Sequence, residues 1–287
     1  MAELSVAALL KEAADAFSSA GIENPELEAR LLLQHVLGVN RAGLILRWQE
    51  IPASTTQSQF TGLVQRRVQR EPIAYITGEQ EFWSLPFIVS PDVLIPRPET
   101  EFLLEQVLQT VPRGSVNHAL DLGCGSGVIA VVLALELGCT VTTVDCSGAA
   151  LELAARNARK HGVAARIHFQ CGDFFSALPK DACFDLLVSN PPYIAAADID
   201  FLQPEVRHYE PRLALNGGKD GLDAIATISR QAGRVLQPGS RLFVEIGADQ
   251  AEAAARLFTD AAHHYDEVRI LPDFSGRPRV LSARFMV

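Results

Sequence analysis

Several features that would classify a chain early are missing here. The five cysteines, Cys124, Cys139, Cys146, Cys171 and Cys183, are odd in number and never spaced as C-x-x-C. That excludes a disulfide framework or a cysteine zinc site and points to reduced thiols in a cytoplasmic protein. No Gly-Lys-Ser or Gly-Lys-Thr follows a glycine loop, so a triphosphate cradle is excluded. Basic residues are in deficit, 25 against 34 acidic for a net charge of −9. Such a protein does not grip nucleic acid through its whole surface, although a local basic patch stays open. The most apolar stretch, residues 128–144, is broken by Glu136 and Gly138 and reads as a core helix followed by a strand, so no membrane partner is expected. The opening "MAELSVAALLKEAADAF" carries acids early and lacks the basic start of a signal peptide. His208, His263 and His264 have no ligand-like partners at metal spacing, so no metal is expected. Internal repeats and low-complexity segments are absent too.

What is present divides in two. A chain of 287 residues, almost half of them apolar, supports two domains with real cores. Residues 1–72 carry helical spacing: Val6, Leu10, Ala13 and Phe17 share one face. Asn24, Pro25 and Gly38 supply a cap, a first helical position and a stop for a second helix. A third pattern sends Phe60, Leu63, Val64 and Val68 inward and leaves Arg66, Arg67 and Arg70 as an outward basic edge. Residues 73–98 switch to short aromatic and β-branched pieces punctuated by Gly and Pro, which predicts a β-hairpin linker. Over residues 99–287 strand-like and helical runs alternate, the signature of an α/β domain with a mostly parallel, Rossmann-like sheet and helices on both faces.

The first strand of that sheet ends in "DLGCGSG", residues 121–127, and leads straight into a helix. Gly123, Gly125 and Gly127 let backbone approach a ligand above the strand ends, where open α/β sheets bind. A dinucleotide loop has the spacing G-x-G-x-x-G, whereas position 128 is Val, so a pyrophosphate is not what this loop serves. The next strand ends at Asp145, whose carboxylate suits both hydroxyls of a ribose. Together they describe a site for an adenosine-containing ligand without a diphosphate. Asp173 and Phe174 leave the third strand beside the same crevice, and Phe174 is either an apolar wall for the base or a core residue.

The fourth strand ends in "SNPPYI". Two prolines remove two backbone donors and stiffen the turn, and they push Asn190 to extended geometry with its amide aimed beyond the strand end. If the ligand is S-adenosyl-L-methionine, the reaction is in-line displacement at a methyl carbon, and the acceptor best suited is a planar nitrogen. The Asn190 side-chain oxygen and the Pro191 carbonyl would accept its two N–H groups, and Tyr193 would pack against its plane.

The combination of "DLGCGSG", "VD", "GDFF" and "NPPYI" resembles amino methyltransferases that use S-adenosyl-L-methionine. Two longer blocks, "REPIAYITGEQEFWSLPFIVSPDVLIPRPETE" and "EVRHYEPRLALNGGKDGLDAI", narrow the resemblance to the HemK or PrmC family, the bacterial protein-(glutamine-N5) methyltransferases of peptide chain release factors. The resemblance implies that Gly123, Cys124, Gly125, Ser126 and Gly127 hold the methionine and ribose parts of the cofactor, Asp145 the ribose and Phe174 the adenine side. A tryptophan is usual in the family where this chain has Phe174. Asn190 would serve cofactor and substrate, and Pro191, Pro192 and Tyr193 would complete the pocket for a glutamine in a Gly-Gly-Gln motif. It further implies that residues 1–72 recognise the release factor and that no nucleic acid is required.

Other residues keep two readings. Arg97 sits either near the carboxylate end of the cofactor or in a structural salt bridge at a helix entry with Thr100 and Glu101. Glu205 and Glu210 either flank the incoming peptide or are solvated loop acids. A DNA or RNA methylase acting on adenine or cytosine amines would use the same four-residue loop, and the acidic charge counts against it.

Overall fold

The computed structural model describes residues 4–287, the side chain of residue 261 apart, so the first three residues of the expected bundle lie outside the described residues. The first elements are α1 (Val6–Ser19), α2 (Pro25–Leu37), α3 (Arg41–Leu46), α4 (Ser54–Val68), α5 (Ile73–Thr77), β1 (Glu79–Phe82) and β2 (Leu85–Ile88). Ser5 caps α1 by accepting the Ala8 N–H at 3.3 Å. Pro25 opens α2, and Gly38 ends it in the left-handed conformation at φ 63°. Burial of Phe17, Leu32, Leu33, Leu44 and Phe60 makes the first core.

The remaining elements are α6 (Pro98–Thr110), β3 (His118–Leu122), α7 (Val128–Glu136), β4 (Thr140–Asp145), α8 (Gly148–Lys160), β5 (Ile167–Cys171), β6 (Phe184–Ser189), α9 (Pro204–Tyr209), α10 (Asp223–Gln231), β7 (Leu236–Glu245), α11 (Ala251–Thr259), β8 (Tyr265–Pro272) and β9 (Pro278–Phe285). One seven-stranded sheet has the order β5-β4-β3-β6-β7-β9-β8. Strands β3 to β7 run parallel, and β9 and β8 close the far edge antiparallel. Helix α7 is buried from Val128 to Ala134, which explains why the sequence there is apolar all round. Among the described residues no helix is long and apolar enough to cross a membrane.

Two compact units result: Met1–Glu79 with Gln203–Tyr209, and Gln80–Leu202 with Glu210–Val287. The boundary expected after residue 72 therefore moves. Residues 73–77 form a helix, not a hairpin strand, because Ile76 is buried in the first core; the hairpin occupies only residues 79–88.

The inward face of α4 also differs from expectation. Val68 is 38% exposed whereas Arg67 is 5% exposed. Arg67 turns inward because two carboxylates meet it: Glu28 pairs with its guanidinium, and Glu205 of α9 accepts from Nη1 at 3.0 Å. Arg70 donates to the other Glu205 oxygen at 2.7 Å and to the Ala20 and Gly21 carbonyls. Burial alone would raise the Glu205 carboxyl, but hydrogen bonds from Arg70 and Arg67 hold it below its ordinary value. An outward basic edge of three arginines is thus absent, and Glu205 is neither a solvated acid nor a peptide-flanking one.

Candidate active site

Strand register carries the key side chains to one level. Leu122 of β3 lies opposite Val144 of β4 and Ser189 of β6, and Ser189 lies opposite Val244 of β7. One residue further on, Gly123, Asp145, Asn190 and Glu245 form a row along the C-terminal edge of the sheet. The chain goes from β3 to β4 and β5 on one side and returns to β6 on the other, so this row spans the point where strand order reverses, where open sheets leave a crevice.

The glycine loop is shaped by its backbone. Gly123, Gly125 and Gly127 have φ of 83°, 51° and 82°, all in the left-handed region. The N–H groups of Gly123 and Cys124 both donate to the Val144 carbonyl, at 2.9 and 3.0 Å. A Cβ on Gly125 would meet nothing within 4 Å, leaving open space for a ligand. Gly127 has another reason: a Cβ there would stand 2.8 Å from Ala154 Cβ, so this glycine lets α7 start against α8. Fully buried Asn157 ties the loop to the hairpin, donating to the carbonyls of Ser126 (2.8 Å) and Ile88 (2.9 Å) and accepting the Ile88 N–H at 2.8 Å.

A cavity of about 450 Å³ opens over this edge, within the range of small-molecule sites. Of the residues expected from sequence, Gly123, Cys124, Gly125, Ser126, Asp145, Phe174, Asn190 and Pro192 line it, with Asp173, Arg97 and Thr100. Gly127, Pro191 and Tyr193 are not part of its lining. Residues Asp92, Val93, Leu94 and Pro96 of the segment after the hairpin form a further wall. Asp145 accepts the Gly125 N–H on Oδ2 at 2.9 Å and the Ser147 N–H on Oδ1 at 2.8 Å, and each oxygen keeps a second lone pair. Beneath the loop, burial pushes the Asp121 carboxyl up to about 7 against a 2.8 Å hydrogen bond from Thr143, with the charge of Asp145 adding to the rise.

Beyond β6 lies a side-chain network that sequence reasoning missed. Asn190 Nδ2 donates to Thr100 Oγ1 at 2.8 Å, Thr100 Oγ1 donates to Glu245 Oε2 at 2.8 Å, and the Tyr193 hydroxyl donates to Glu245 Oε1 at 3.1 Å. Glu245 is fully buried, and burial pushes its carboxyl up to about 7 against the hydrogen bonds of Thr100 and Tyr193. Burial also raises the Tyr193 phenol, and the Glu245 charge adds to it. The available signal was "FVEIG", an acid at the end of an apolar strand bordering the same crevice. The Tyr193 carbonyl accepts from Gln250 at 2.9 Å, and Ile194 bridges to Asn216, so the chain after the Asn-Pro-Pro turn is held at two points.

Arg97 pairs with Glu210 and also lines the cavity, so it takes the structural role without leaving the site. Glu210 is buried, accepts the Ile95 N–H at 3.1 Å, and is raised by burial against the pull of Arg97. It is an internal anchor for the segment before α6, not an acid flanking a peptide. No cluster of three or more His, Cys, Asp or Glu suited to a metal occurs among the described residues.

Residues 8–78 match the family model described as the PrmC N-terminal domain, and residues 115–269 match one described as a methyltransferase domain. A release factor glutamine methyltransferase of Geobacter sulfurreducens is 47% identical over 92% of this chain and 91% of its own length. Another, of Cereibacter sphaeroides, is 43% identical over 96% of each chain. The crystal structure of a methyltransferase from Pyrococcus furiosus aligns with a TM-score of 0.54 at 17% identity, over 82% of this chain and all of that one, which bears on the fold alone.

Proposed function

The chain belongs to the release factor glutamine methyltransferase family, and from that premise we propose that it transfers a methyl group from S-adenosyl-L-methionine to the side-chain amide nitrogen of the Gly-Gly-Gln glutamine in peptide chain release factors. The residues present suit the cofactor: a glycine loop open at Gly125, a carboxylate with free lone pairs at Asp145, and an apolar wall that includes Phe174. Bound S-adenosyl-L-methionine supplies an electrophilic methyl group on a sulfonium. The loop of Gly123, Cys124, Gly125 and Ser126 would hold the methionine and ribose parts, Asp145 would accept from the ribose hydroxyls, and Phe174 would serve the adenine side.

A glutamine amide nitrogen is a poor nucleophile because its lone pair is delocalised into the carbonyl. Asn190 Oδ1 at the cavity and the Pro191 carbonyl next to it in the chain would accept its two N–H groups, orient its lone pair and favour a more pyramidal nitrogen. Pro192 lines the cavity beside the glutamine, and Tyr193, tied to Glu245, packs behind it. No strong base is required, since the nitrogen becomes acidic as the new bond forms and its proton passes to solvent. Positioning accounts for most of the rate, for which well-oriented systems supply about 7–11 kcal/mol. The observation that carries this reading is the adjacency of Gly123 and Asn190 just beyond the ends of β3 and β6, where an added Gly123 Cβ would lie 3.4 Å from the Asn190 carbonyl oxygen.

A glutamine amide alone holds too little information to select one protein, so partner choice is assigned to contacts remote from the methyl group, in the helical unit. Exposed Ile45 (58%) and Leu46 (87%) belong to that unit. Replacing both with serine is expected to raise KM for intact release factor with cofactor affinity unchanged. Free cysteines throughout support action in the cytoplasm. The direct test is intact-mass measurement of a release factor after incubation with enzyme and cofactor, alongside DNA and RNA with labelled cofactor. A gain of one methyl group on the glutamine is expected; label on nucleic acid alone would replace this reading with that of a base methylase.

A further inference from the structure

An asparagine amide has two nearly isosteric orientations of opposite hydrogen-bond polarity, and which one faces a ligand depends on its neighbours. At Asn190 the neighbour is Thr100, held in the first turn of α6 with its own N–H donating to the Arg97 carbonyl at 3.0 Å. A threonine hydroxyl carries one proton. Thr100 Oγ1 stands 2.8 Å from Asn190 Nδ2 and 2.8 Å from Glu245 Oε2. When Glu245 is ionised its carboxylate only accepts, so the hydroxyl proton goes to Glu245 and Thr100 can only accept from Asn190. That pins Nδ2 inward and turns Oδ1 to the cavity. Tyr193 donates to the other carboxylate oxygen at 3.1 Å, so Glu245 receives a hydrogen bond on both sides.

We propose that Glu245, acting through Thr100, is a positioning residue that fixes the polarity of the Asn190 amide and so restricts the site to substrate groups that bring N–H donors. Burying a carboxylate is costly, and an amide of the same shape would cost less in this place. Only the carboxylate, with acceptors at both ends, commits the threonine and tyrosine protons inward at once. Arg279 favours its charged form and Glu99 opposes it, the two further charges that act on it. In its ionised state the chain Glu245–Thr100–Asn190 selects a primary amide, and a substrate carboxylate at the same point meets only acceptors.

The inference rests on the proposed transfer to glutamine, so the unaltered enzyme is assayed first; absence of methyl transfer by it would overturn that function and the inference together. The test then compares the affinity of the enzyme for a release factor with its affinity for the same release factor carrying glutamate in place of the substrate glutamine. With the unaltered enzyme the glutamine form binds more tightly. Thr100→Val removes the hydroxyl at nearly constant volume and frees the amide to turn. It is expected to lower kcat about 10- to 100-fold, less than loss of an oriented polar group at the reacting centre itself because Thr100 acts through Asn190, and to shift the affinity ratio toward glutamate by about tenfold, the effect of one unpaired hydrogen-bonding group. Thr100→Ser restores both, and Glu245→Gln shifts the ratio in the same direction as Thr100→Val. Loss of kcat in Thr100→Val with the ratio unchanged, or a Thr100→Ser enzyme as impaired as Thr100→Val, would reduce Thr100 and Glu245 to packing residues and overturn the proposal.

Discussion

The Asp145 carboxylate accepts the Gly125 N–H at 2.9 Å, which joins the end of β4 to the turn of the glycine loop. Its other oxygen accepts the Ser147 N–H at 2.8 Å. One side chain thus shapes the loop and presents lone pairs to a ligand. Asp145→Ala is expected to weaken S-adenosyl-L-methionine binding by one to two powers of ten, as charge-assisted hydrogen bonds are lost and about 1.4 kcal/mol is tenfold. Asp145→Asn should lose nearly as much, because its amide nitrogen would face one of two backbone donors. Calorimetric titration decides; unchanged affinity in both variants removes Asp145 from the site.

Asn190→Ala should lower kcat by about 10²–10³ at saturating cofactor, the range for loss of one oriented polar group at a reacting centre. Stability should barely change, since the amide sits at the cavity edge and makes one hydrogen bond to Thr100. A variant with near-normal turnover under those conditions is incompatible with the mechanism proposed for the Asn-Pro-Pro turn.

Two buried carboxyls set a pH response. Glu245 and Asp121 are both pushed up to about 7 by burial, from ordinary values of 4.5 and 3.8. Between those values and about 7 the folded state binds more protons than the unfolded chain, so these groups favour the fold most at the acid end of that window and disfavour it as pH rises through 7. Urea midpoints are expected to fall between about pH 5.5 and pH 8, and Glu245→Gln should flatten part of that slope. Midpoints of the variant tracking the parent at both pH values would show that Glu245 does not titrate there.

Arg67 holds two half-buried carboxylates, Glu28 and Glu205, with its own side chain 6% exposed. Removing one partner of such a group leaves uncompensated charge in the core, so Arg67→Ala should destabilise the helical unit by about 3 kcal/mol. Replacing all three residues with apolar ones of similar volume should recover most of that loss. Chemical denaturation of the single and triple variants measures both; equal loss in the two would point to packing and not charge.

The course of the chain was legible because local physics wrote it. Glycines at 123, 125 and 127 with φ between 51° and 83°, alternation of strand and helix, and an Asn-Pro-Pro stop each follow from backbone sterics that a short stretch determines by itself. Gly123–Ser126, Asp145, Phe174 and Asn190 could therefore be named as neighbours of one crevice before any coordinates. Orientation and burial of charge could not. Arg67 turned inward and Val68 outward because Glu28 and Glu205, 39 and 138 residues away, neutralise the guanidinium. Hairpin residues gave way to α5 because Ile76 found the bundle core. Glu245 joined Asn190 and Tyr193 only when β7 paired beside β6 in the register Ser189 to Val244. A carboxylate's role depends on which donors surround it and how much water is excluded, and both are properties of long-range packing that no local pattern encodes.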